Sequence, residues 1–229
     1  MIKDPPLLRI RRKFPRPAKK VLAAFAGVQT GFVTDAMNGR GALDYRIKPL
    51  TQPDAPIVGV AMTCECGPAD NLALWGALAM AEPGDVLLTA TDGFTATSVT
   101  GDLLLGMAKN RGIKGIVTDG VARDVPGCLA VGLPLYCIGI NPNSPARNGP
   151  GTVGHPIVIG GVTVTPGDIV IGDGDGIVIV PRADAEAVLK RLEDVKKAEA
   201  TMDAKVKAGL EVPDFVKSIL DSDRVIYED

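Results

Sequence analysis

The chain has 229 residues, a length typical of one large domain or two small ones. Hydrophobic residues make up 46% and charged residues 23%, while glycine and proline are plentiful, as in a tightly turned α/β protein. A net charge of −2 excludes the basic surface of a general nucleic-acid binder, and no apolar run is long enough to span a membrane. We therefore expect one domain that binds neither nucleic acid nor a membrane.

The first half of the chain predicts short helices followed by alternating strands and helices. Residues 1–20 are basic and proline-rich without the apolar run of a secretory signal, so we interpret them as an N-terminal arm available to a neighbouring subunit. Apolar residues at helical spacing, followed by stop residues, predict the helices, and short apolar runs between turn residues predict the strands. We predict helices within 17–26, 30–39, 69–82 and 101–112, and strands within 55–66, 85–93 and 114–120.

The second half predicts hairpins and then one long helix. Residues 155–181 consist of short Val/Ile runs separated by Gly-Gly, Pro-Gly-Asp and Asp-Gly, which favours antiparallel strands. Residues 182–209 follow an amphipathic helical pattern, and its length indicates that the helix extends beyond its own core. We therefore expect a single α/β domain over 21–181, with a C-terminal helix and tail over 182–229 that pack on a neighbouring subunit.

Candidate site residues flank the helix predicted within 101–112. A crossover helix starts at the sheet edge where the flanking parallel strands end, so Asp102, Arg123 and Asp124 should meet at one edge. Two aspartates suit a hard cation such as Mg²⁺, the free N–H groups of residues 101–104 suit an anionic oxygen, and the fork of Arg123 suits a carboxylate. The alternative is a helix cap at Asp102 and a local Arg123–Asp124 ion pair.

Other polar residues have simpler explanations. Cys64, Cys66, Cys128 and Cys137 lack C-x-x-C spacing, and His155 is the one histidine, so we expect free thiols in a reducing cytoplasm and no zinc site. Asp173 and Asp175 lie in an acidic turn without the spacing of a calcium loop, which favours an ordinary hairpin turn.

The chain resembles the class II pyruvate aldolases that act on 4-hydroxy-4-methyl-2-oxoglutarate and 4-carboxy-4-hydroxy-2-oxoadipate, a family that also contains the regulator of ribonuclease activity A. The resemblance rests on "TGFVTDAMNGRG", "ADNLALWGALAMAEPGDVL", "VTPGDIVIGDGDGIVIVP" and, most specifically, on Asp102 followed after twenty residues by Arg123–Asp124. It implies a three-layer α/β/β sandwich like the swivelling phosphohistidine domain, assembled as trimers or hexamers with the site between subunits.

The resemblance also implies residue roles. Asp124 would bind Mg²⁺ or Mn²⁺, Asp102 would reach the cation through water, and Glu199 from a neighbouring subunit would contribute. Gly101, Asp102, Leu103 and Leu104 would hold the pyruvyl oxygens through backbone N–H groups, and Arg123 would bind the substrate. We expect cleavage of a 4-hydroxy-2-oxo acid to pyruvate and a second oxo acid, with oxaloacetate decarboxylation as a second activity.

Two features bear on the alternatives. The ribonuclease-binding regulators of the family lack carboxylates at the two metal positions, whereas this chain has both, which favours an enzyme. The aldolases often carry histidine where this chain has Trp75, and the segment 141–156 differs as well. These differences concern the substrate rather than the chemistry.

Overall fold

A computed structural model describes residues 4–51 and 56–228 of the chain. The helices are α1 (Lys19–Ala24), α2 (Thr30–Ala36), α3 (Leu72–Met80), α4 (Asp102–Asn110), α5 (Val125–Val131), α6 (Ala185–Lys207) and α7 (Asp214–Leu220). The strands are β1 (Leu8–Ile10), β2 (Lys48–Thr51), β3 (Ile57–Cys66), β4 (Asp85–Ala90), β5 (Ser98–Thr100), β6 (Gly115–Thr118), β7 (Val121–Ala122), β8 (Leu135–Cys137), β9 (Gly139–Ile140), β10 (Gly151–Val153), β11 (Ile157–Ile159), β12 (Val162–Val164), β13 (Ile169–Asp173) and β14 (Gly176–Val180).

The main sheet has the strand order β1-β10-β3-β4-β6-β8-β2, and β13 and β14 join it through β3. Strands β3, β4, β6 and β8 pair in parallel, which confirms the predicted parallel pairing around α4. Every residue of β4 and β6 is buried, as expected for parallel strands that are covered on both faces. Both predicted hairpins, β11–β12 and β13–β14, are antiparallel.

Side chains on opposite faces of the main sheet enter different cores. Leu87 of β4 packs with residues of α3, α4 and α5, whereas Leu88 packs with residues of the β11–β12 hairpin. Because successive strand residues face opposite sides, the helices cover one face and a second β layer covers the other. This arrangement confirms the predicted three-layer α/β/β sandwich.

A separate small sheet consists of β5, β7 and β9, which pair in parallel in that order. Each of these strands has only two or three residues, and none was predicted. Strand β5 immediately precedes α4, and β7 immediately precedes α5. The small sheet therefore positions the starts of both helices.

The long C-terminal helix was predicted from residue 182 and begins with a 3₁₀ turn at Arg182–Asp184, followed by α6. Val188 and Leu192 of its first half are buried in a core with α1, α2, β13 and β14. In its second half Met202 and Val206 are exposed, so the helix does extend beyond its own core. Packing of this half on a neighbouring subunit stays a prediction. Within 4–51 and 56–228, no helix combines the length and apolarity needed to cross a membrane.

The predicted N-terminal arm packs on its own domain where it is described. Strand β1 pairs with β10, and Leu8 contacts the core beneath the helices. The Arg16 guanidinium donates two hydrogen bonds to the fully buried Asp85 carboxylate, at 2.6 and 3.0 Å. These contacts make the arm an integral part of this fold from β1 onward. Residues 1–3 lie outside the described residues.

Replacing Arg16 by alanine is expected to lower the free energy of unfolding by about 3 kcal/mol, because it removes the charged partner of a buried carboxylate. The N–H of Glu82 still donates to Asp85 Oδ2 at 2.9 Å, which limits the loss. Urea unfolding of Arg16→Ala beside Arg12→Ala, which removes an exposed arginine of the same segment, measures the effect. Equal free energies of unfolding for the two variants would contradict the assignment.

Candidate functional site

The short parallel strands of the small sheet end at one cavity of about 170 Å³. Gly101 and Asp102 follow β5, and Arg123 and Asp124 follow β7. These four residues line the cavity together with Leu103 and Leu104. The structure therefore brings together the site residues predicted within this chain. The expected strands were wrong, because these residues follow the short strands β5 and β7 and not β4 and β6.

Helix α4 presents its first turn to the cavity. Asp102 is its first residue, and Asp102 Oδ1 accepts a hydrogen bond from the Leu103 N–H at 2.7 Å. The first intrahelical bond at this end is donated by Leu105 to the Gly101 carbonyl at 3.1 Å. The preceding N–H groups have no carbonyl partner within the helix, and the helix dipole adds partial positive charge. This end of α4 suits an anionic oxygen.

Arg123 and Asp124 form the local ion pair that the sequence left open as an alternative. Arg123 Nε donates to Asp124 Oδ2 at 3.1 Å, and Arg123 Nη1 donates to Ser144 Oγ. Asp124 has left-handed backbone angles, φ 59° and ψ 43°, and its carboxylate does not cap α5 although it occupies the N-cap position. The Arg123 and Asp124 side chains are 35% and 41% exposed, so both remain accessible to a ligand.

Two glycines allow the carboxylates to approach each other's elements. A Cβ on Gly101 would lie 2.5 Å from Asp124 Oδ2, and a Cβ on Gly127 would lie 2.7 Å from the Asp102 Cβ. Both distances are shorter than real contacts, so only glycine permits this packing. The start of α4 is thus packed against Asp124, and the start of α5 against Asp102. The spacing of the sequence does not reveal these contacts.

Cys128 lies beside both carboxylates in the first turn of α5. Its Sγ donates to the Arg123 carbonyl at 3.3 Å. Burial raises the pKa of the Cys128 thiol to about 11, and the negative charges of Asp102 and Asp124 contribute to the rise. A raised pKa keeps the thiol mostly protonated near neutral pH, which disfavours a nucleophilic role. All four cysteines are free and buried, as predicted.

Further polar residues of the cavity were not predicted as site residues. Asn71 just before α3, Trp75 of α3 and Thr100 of β5 line it, and Arg147 lines it from the loop between β9 and β10. Trp75 was noted only as a difference from the aldolases. Asn71 lies in the segment "ADNLALWGALAMAEPGDVL" that carries the resemblance, and Arg147 lies in the differing segment 141–156, but no pattern in the sequence shows that Arg147 and Trp75 meet.

Some predicted residues lie elsewhere. Glu199 is exposed on α6 and does not line the cavity of its own chain, so its contribution from a neighbouring subunit stays a prediction. Asp173 accepts hydrogen bonds from the Thr30 N–H and hydroxyl, each at 2.8 Å, which makes it part of the fold. The acidic turn joins β13 to β14 as expected for a hairpin.

Asp102 and Asp124 are the carboxylates that line the cavity, and their oxygens are potential ligands of a cation. Within the described residues, no group of three or more His, Cys, Asp or Glu side chains is arranged to hold a metal ion. Mg²⁺, however, commonly takes one or two carboxylates and keeps several waters. Asp102 and Asp124 supply oxygen ligands of that kind, so the donor set of one chain fits a hydrated hard cation.

The central part of the chain matches a known protein family. A family model described as "Aldolase/RraA" matches residues 30–179, which contain β2 to β13 and the whole cavity. The chain belongs to the Aldolase/RraA family. The match ends before α6, so the family region includes Asp102, Arg123 and Asp124 but not Glu199.

Similar proteins extend over most of this Aldolase/RraA chain. A relative from Halalkalibacterium halodurans named "Putative 4-hydroxy-4-methyl-2-oxoglutarate aldolase" is 36% identical over 187 residues, which cover 82% of this chain and 87% of that protein. A crystal structure of Streptomyces coelicolor RraAS2, described as an unusual member of the RNase ES inhibitor RraA family, is 28% identical with a TM-score of 0.74 and covers 83% of this chain and 100% of that one. An uncharacterized Pseudomonas syringae protein is 28% identical with a TM-score of 0.75, covering 86% and 96% of the two chains.

Proposed function

We propose that this chain is a divalent-metal-dependent lyase that cleaves a 4-hydroxy-2-oxo acid to pyruvate and a second oxo acid. The observation that carries the proposal is the convergence of Asp102, Arg123 and Asp124 on one cavity at the start of α4. The name of the Halalkalibacterium halodurans relative supports the same class of reaction.

The pyruvyl half of the substrate fits the start of α4. Its carboxylate would accept hydrogen bonds from the N–H groups of the first turn, which helix geometry leaves free of intrahelical carbonyls. Arg123 lines the same cavity beside Gly101, and it can turn its guanidinium from Asp124 to the substrate, since both side chains are partly exposed. Both contacts orient the 2-oxo acid for cleavage of its C3–C4 bond.

The reaction requires a proton acceptor and a site for negative charge. Asp102 would receive the 4-hydroxyl proton, directly or through water, while the C4 carbonyl forms and the C3–C4 electron pair becomes the enolate of pyruvate. Arg123 stabilises the enolate oxygen in a preorganised site, where developing charge is stabilised most. Protonation of the enolate at C3 releases pyruvate.

A divalent cation held by Asp124, with Asp102 nearby, would act as a Lewis acid that polarises the 2-oxo group. We propose Mg²⁺ or Mn²⁺ for this role because the two carboxylates supply only oxygen ligands. Glu199 of a neighbouring subunit would complete the site in a trimer or hexamer. The same enolate arises when oxaloacetate loses CO₂, so oxaloacetate decarboxylation is proposed as a second activity.

Pyruvate release tests this function. The purified chain is expected to release pyruvate from 4-hydroxy-4-methyl-2-oxoglutarate or 4-carboxy-4-hydroxy-2-oxoadipate with Mg²⁺ or Mn²⁺ and to lose that activity in EDTA. A coupled pyruvate assay over both acids and oxaloacetate, with each metal, ranks the substrates. Activity that EDTA leaves unchanged, or no turnover of any of these acids, would refute the proposal.

The competing function is binding and inhibition of a ribonuclease, as the description of the Streptomyces coelicolor structure says of its family. That function requires no carboxylates around a cavity, whereas both are present here. Stable capture of a ribonuclease together with failure of the pyruvate assay would favour the regulator.

A further inference from the structure

Arg123 has a second hydrogen-bond partner that lies beside the cavity. Its Nε donates to Asp124 Oδ2 at 3.1 Å, and its Nη1 donates to the hydroxyl of Ser144. Arg123 and Asp124 line the cavity, whereas Ser144 is not one of its lining residues. The guanidinium is therefore held between a carboxylate of the site and a hydroxyl just outside it.

The two partners of Arg123 respond differently when the proposed site is filled. A cation bound to Asp124 neutralises part of the carboxylate charge and repels the guanidinium, so the Arg123–Asp124 pair weakens. The Ser144 hydroxyl is neutral, and its hydrogen bond to Arg123 does not compete with the cation. Ser144 is therefore the partner that can retain Arg123 once Asp124 is occupied.

The segment that carries Ser144 is anchored to the small sheet. The Asn143 carbonyl accepts hydrogen bonds from the Ser98 N–H at 3.0 Å and from the Ser98 hydroxyl at 2.8 Å, and Ser98 is only 1% exposed. The Asn143 side chain donates to the Ala96 carbonyl at 3.0 Å. Because Ser98 belongs to β5, the residue before Ser144 is fixed to the strand that precedes α4.

A second anchor joins the same segment to the strand that carries Arg123. The Asn141 N–H donates to the Ala122 carbonyl at 2.9 Å, and Ala122 is the last residue of β7, directly before Arg123. Asn141 Oδ1 accepts a hydrogen bond from the Asn143 N–H at 2.9 Å. The backbones that carry Ser144 and Arg123 are thus fixed to the same small sheet, which reduces the entropy lost when the two side chains pair.

We propose that Ser144 is a positioning residue that holds the Arg123 guanidinium by Nη1 while Nε is released from Asp124 to the substrate. This assignment rests on the proposed function, in which Arg123 stabilises the enolate. Ser144 contacts neither the substrate nor the cation, and it acts only through Arg123. It lies in the segment 141–156, which differs from the aldolases, so the family motif does not predict this contact.

Serine variants test the positioning role by kinetics. Ser144→Ala is expected to lower kcat for metal-dependent pyruvate release about 10-fold, the loss expected for one hydrogen bond to a charged group, with little change in KM. Ser144→Thr keeps the hydroxyl and should restore most of kcat. Ser218→Ala removes an exposed hydroxyl of α7, outside the cavity, and is the matched control. A kcat that Ser144→Ala leaves unchanged, or an equal loss in Ser144→Thr, would overturn the proposal.

Chemical modification of Arg123 tests the same role without turnover. Phenylglyoxal reacts with arginine side chains, and peptide mass spectrometry measures the rate at each arginine separately. With Mg²⁺ present, Arg123 should react about 10-fold faster in Ser144→Ala than in the native chain, because neither partner then retains the guanidinium. In EDTA the increase should be smaller, since Asp124 still pairs with Arg123. The rate at Arg12, an exposed arginine outside the cavity, should not change and is the internal control.

The outcomes separate the positioning role from the proposed reaction. A modification rate at Arg123 that Ser144→Ala leaves unchanged in both Mg²⁺ and EDTA would overturn the positioning role even if the chain proved to be an aldolase. An equal increase in Mg²⁺ and in EDTA would overturn the release of Arg123 from Asp124 that the role requires. Faster modification in Ser144→Ala that Ser144→Thr reverses, without pyruvate release from any 4-hydroxy-2-oxo acid, would support the contact and refute the reaction. Because Ser144 is exposed, both variants should retain the native fold, which thermal unfolding verifies.

Discussion

Arg123→Ala is expected to lower kcat for metal-dependent pyruvate release by about a thousandfold, with a much smaller change in KM. This is the loss typical of removing a donor that stabilises an oxyanion in the transition state. Arg123 is suited to that role because it lies at the end of β7 facing the first turn of α4, with its guanidinium partly exposed. Steady-state kinetics on the best substrate of the panel measure kcat and KM separately.

Two further variants make the expectation specific. Arg123→Lys retains the charge but not the planar fork, so it should recover only part of the lost activity. Arg46→Ala removes an exposed arginine that pairs with Asp44 outside the cavity and should leave kcat unchanged. If Arg123→Ala raised KM with kcat intact, Arg123 would contribute to binding and not to stabilisation of the enolate.

The fold of Arg123→Ala should be nearly as stable as the native fold. The Arg123–Asp124 pair is more than one-third exposed on each side, and exposed ion pairs contribute at most about 1 kcal/mol. This contrasts with Arg16, whose partner Asp85 is buried. A large change in urea unfolding for Arg123→Ala would therefore indicate a structural role instead.

Much of the fold follows from local patterns in the sequence. Periodicity and stop residues predict α3, α4 and α6, and Val/Ile runs between glycine turns predict the hairpins β11–β12 and β13–β14. The convergence of Asp102 with Arg123 and Asp124 follows from topology, since a crossover helix starts where the flanking parallel strands end. These features depend on residues that are close in sequence or on general rules of chain geometry.

The small sheet could not be predicted in the same way. Strands β5, β7 and β9 contain two or three residues each, too few to show a period of two. They form because they pair with one another, which places the site one sheet away from β4 and β6. The glycine contacts of Gly101 and Gly127 are likewise tertiary, and no pattern around either residue predicts them.

Four further residues of the cavity could not be predicted for a related reason. Asn71 lies just before α3, Trp75 lies on α3, Thr100 lies at the end of β5, and Arg147 lies in a loop fixed by Asp70. Only folding brings these segments together at one cavity. A site between subunits is still harder to predict, and the role of Glu199 depends on one.

The second large effect is expected at Asp124. Asp124→Asn should abolish the stimulation of pyruvate release by Mg²⁺, because it removes the charge of the carboxylate proposed to bind the cation. Asparagine tolerates the left-handed backbone at this position, so the variant keeps the turn between β7 and α5. Alanine would lose the carboxylate and strain the backbone as well, which makes asparagine the more informative change.

Asp124 lies close to Gly101, which constrains a longer side chain at this position. Its Oδ2 already lies so close to Gly101 that a single added carbon on that glycine would be 2.5 Å away, and glutamate needs more room than aspartate. Asp124→Glu should therefore fail to restore metal-dependent activity although it carries the same charge. Restoration by glutamate would show that the carboxylate acts at a distance and not at a defined position.

Metal binding can be measured apart from turnover. Mn²⁺ titration followed by electron paramagnetic resonance of the free ion should show a binding site in the native chain that Asp124→Asn weakens about a hundredfold or more, as expected when a metal ligand is lost. Asp175→Ala removes an exposed carboxylate from the turn between β13 and β14 and is the matched control. Because Asp175 lies outside the cavity, both its Mn²⁺ affinity and its EDTA-sensitive activity should equal those of the native chain. Equal Mn²⁺ affinity in Asp124→Asn and Asp175→Ala would place the cation elsewhere.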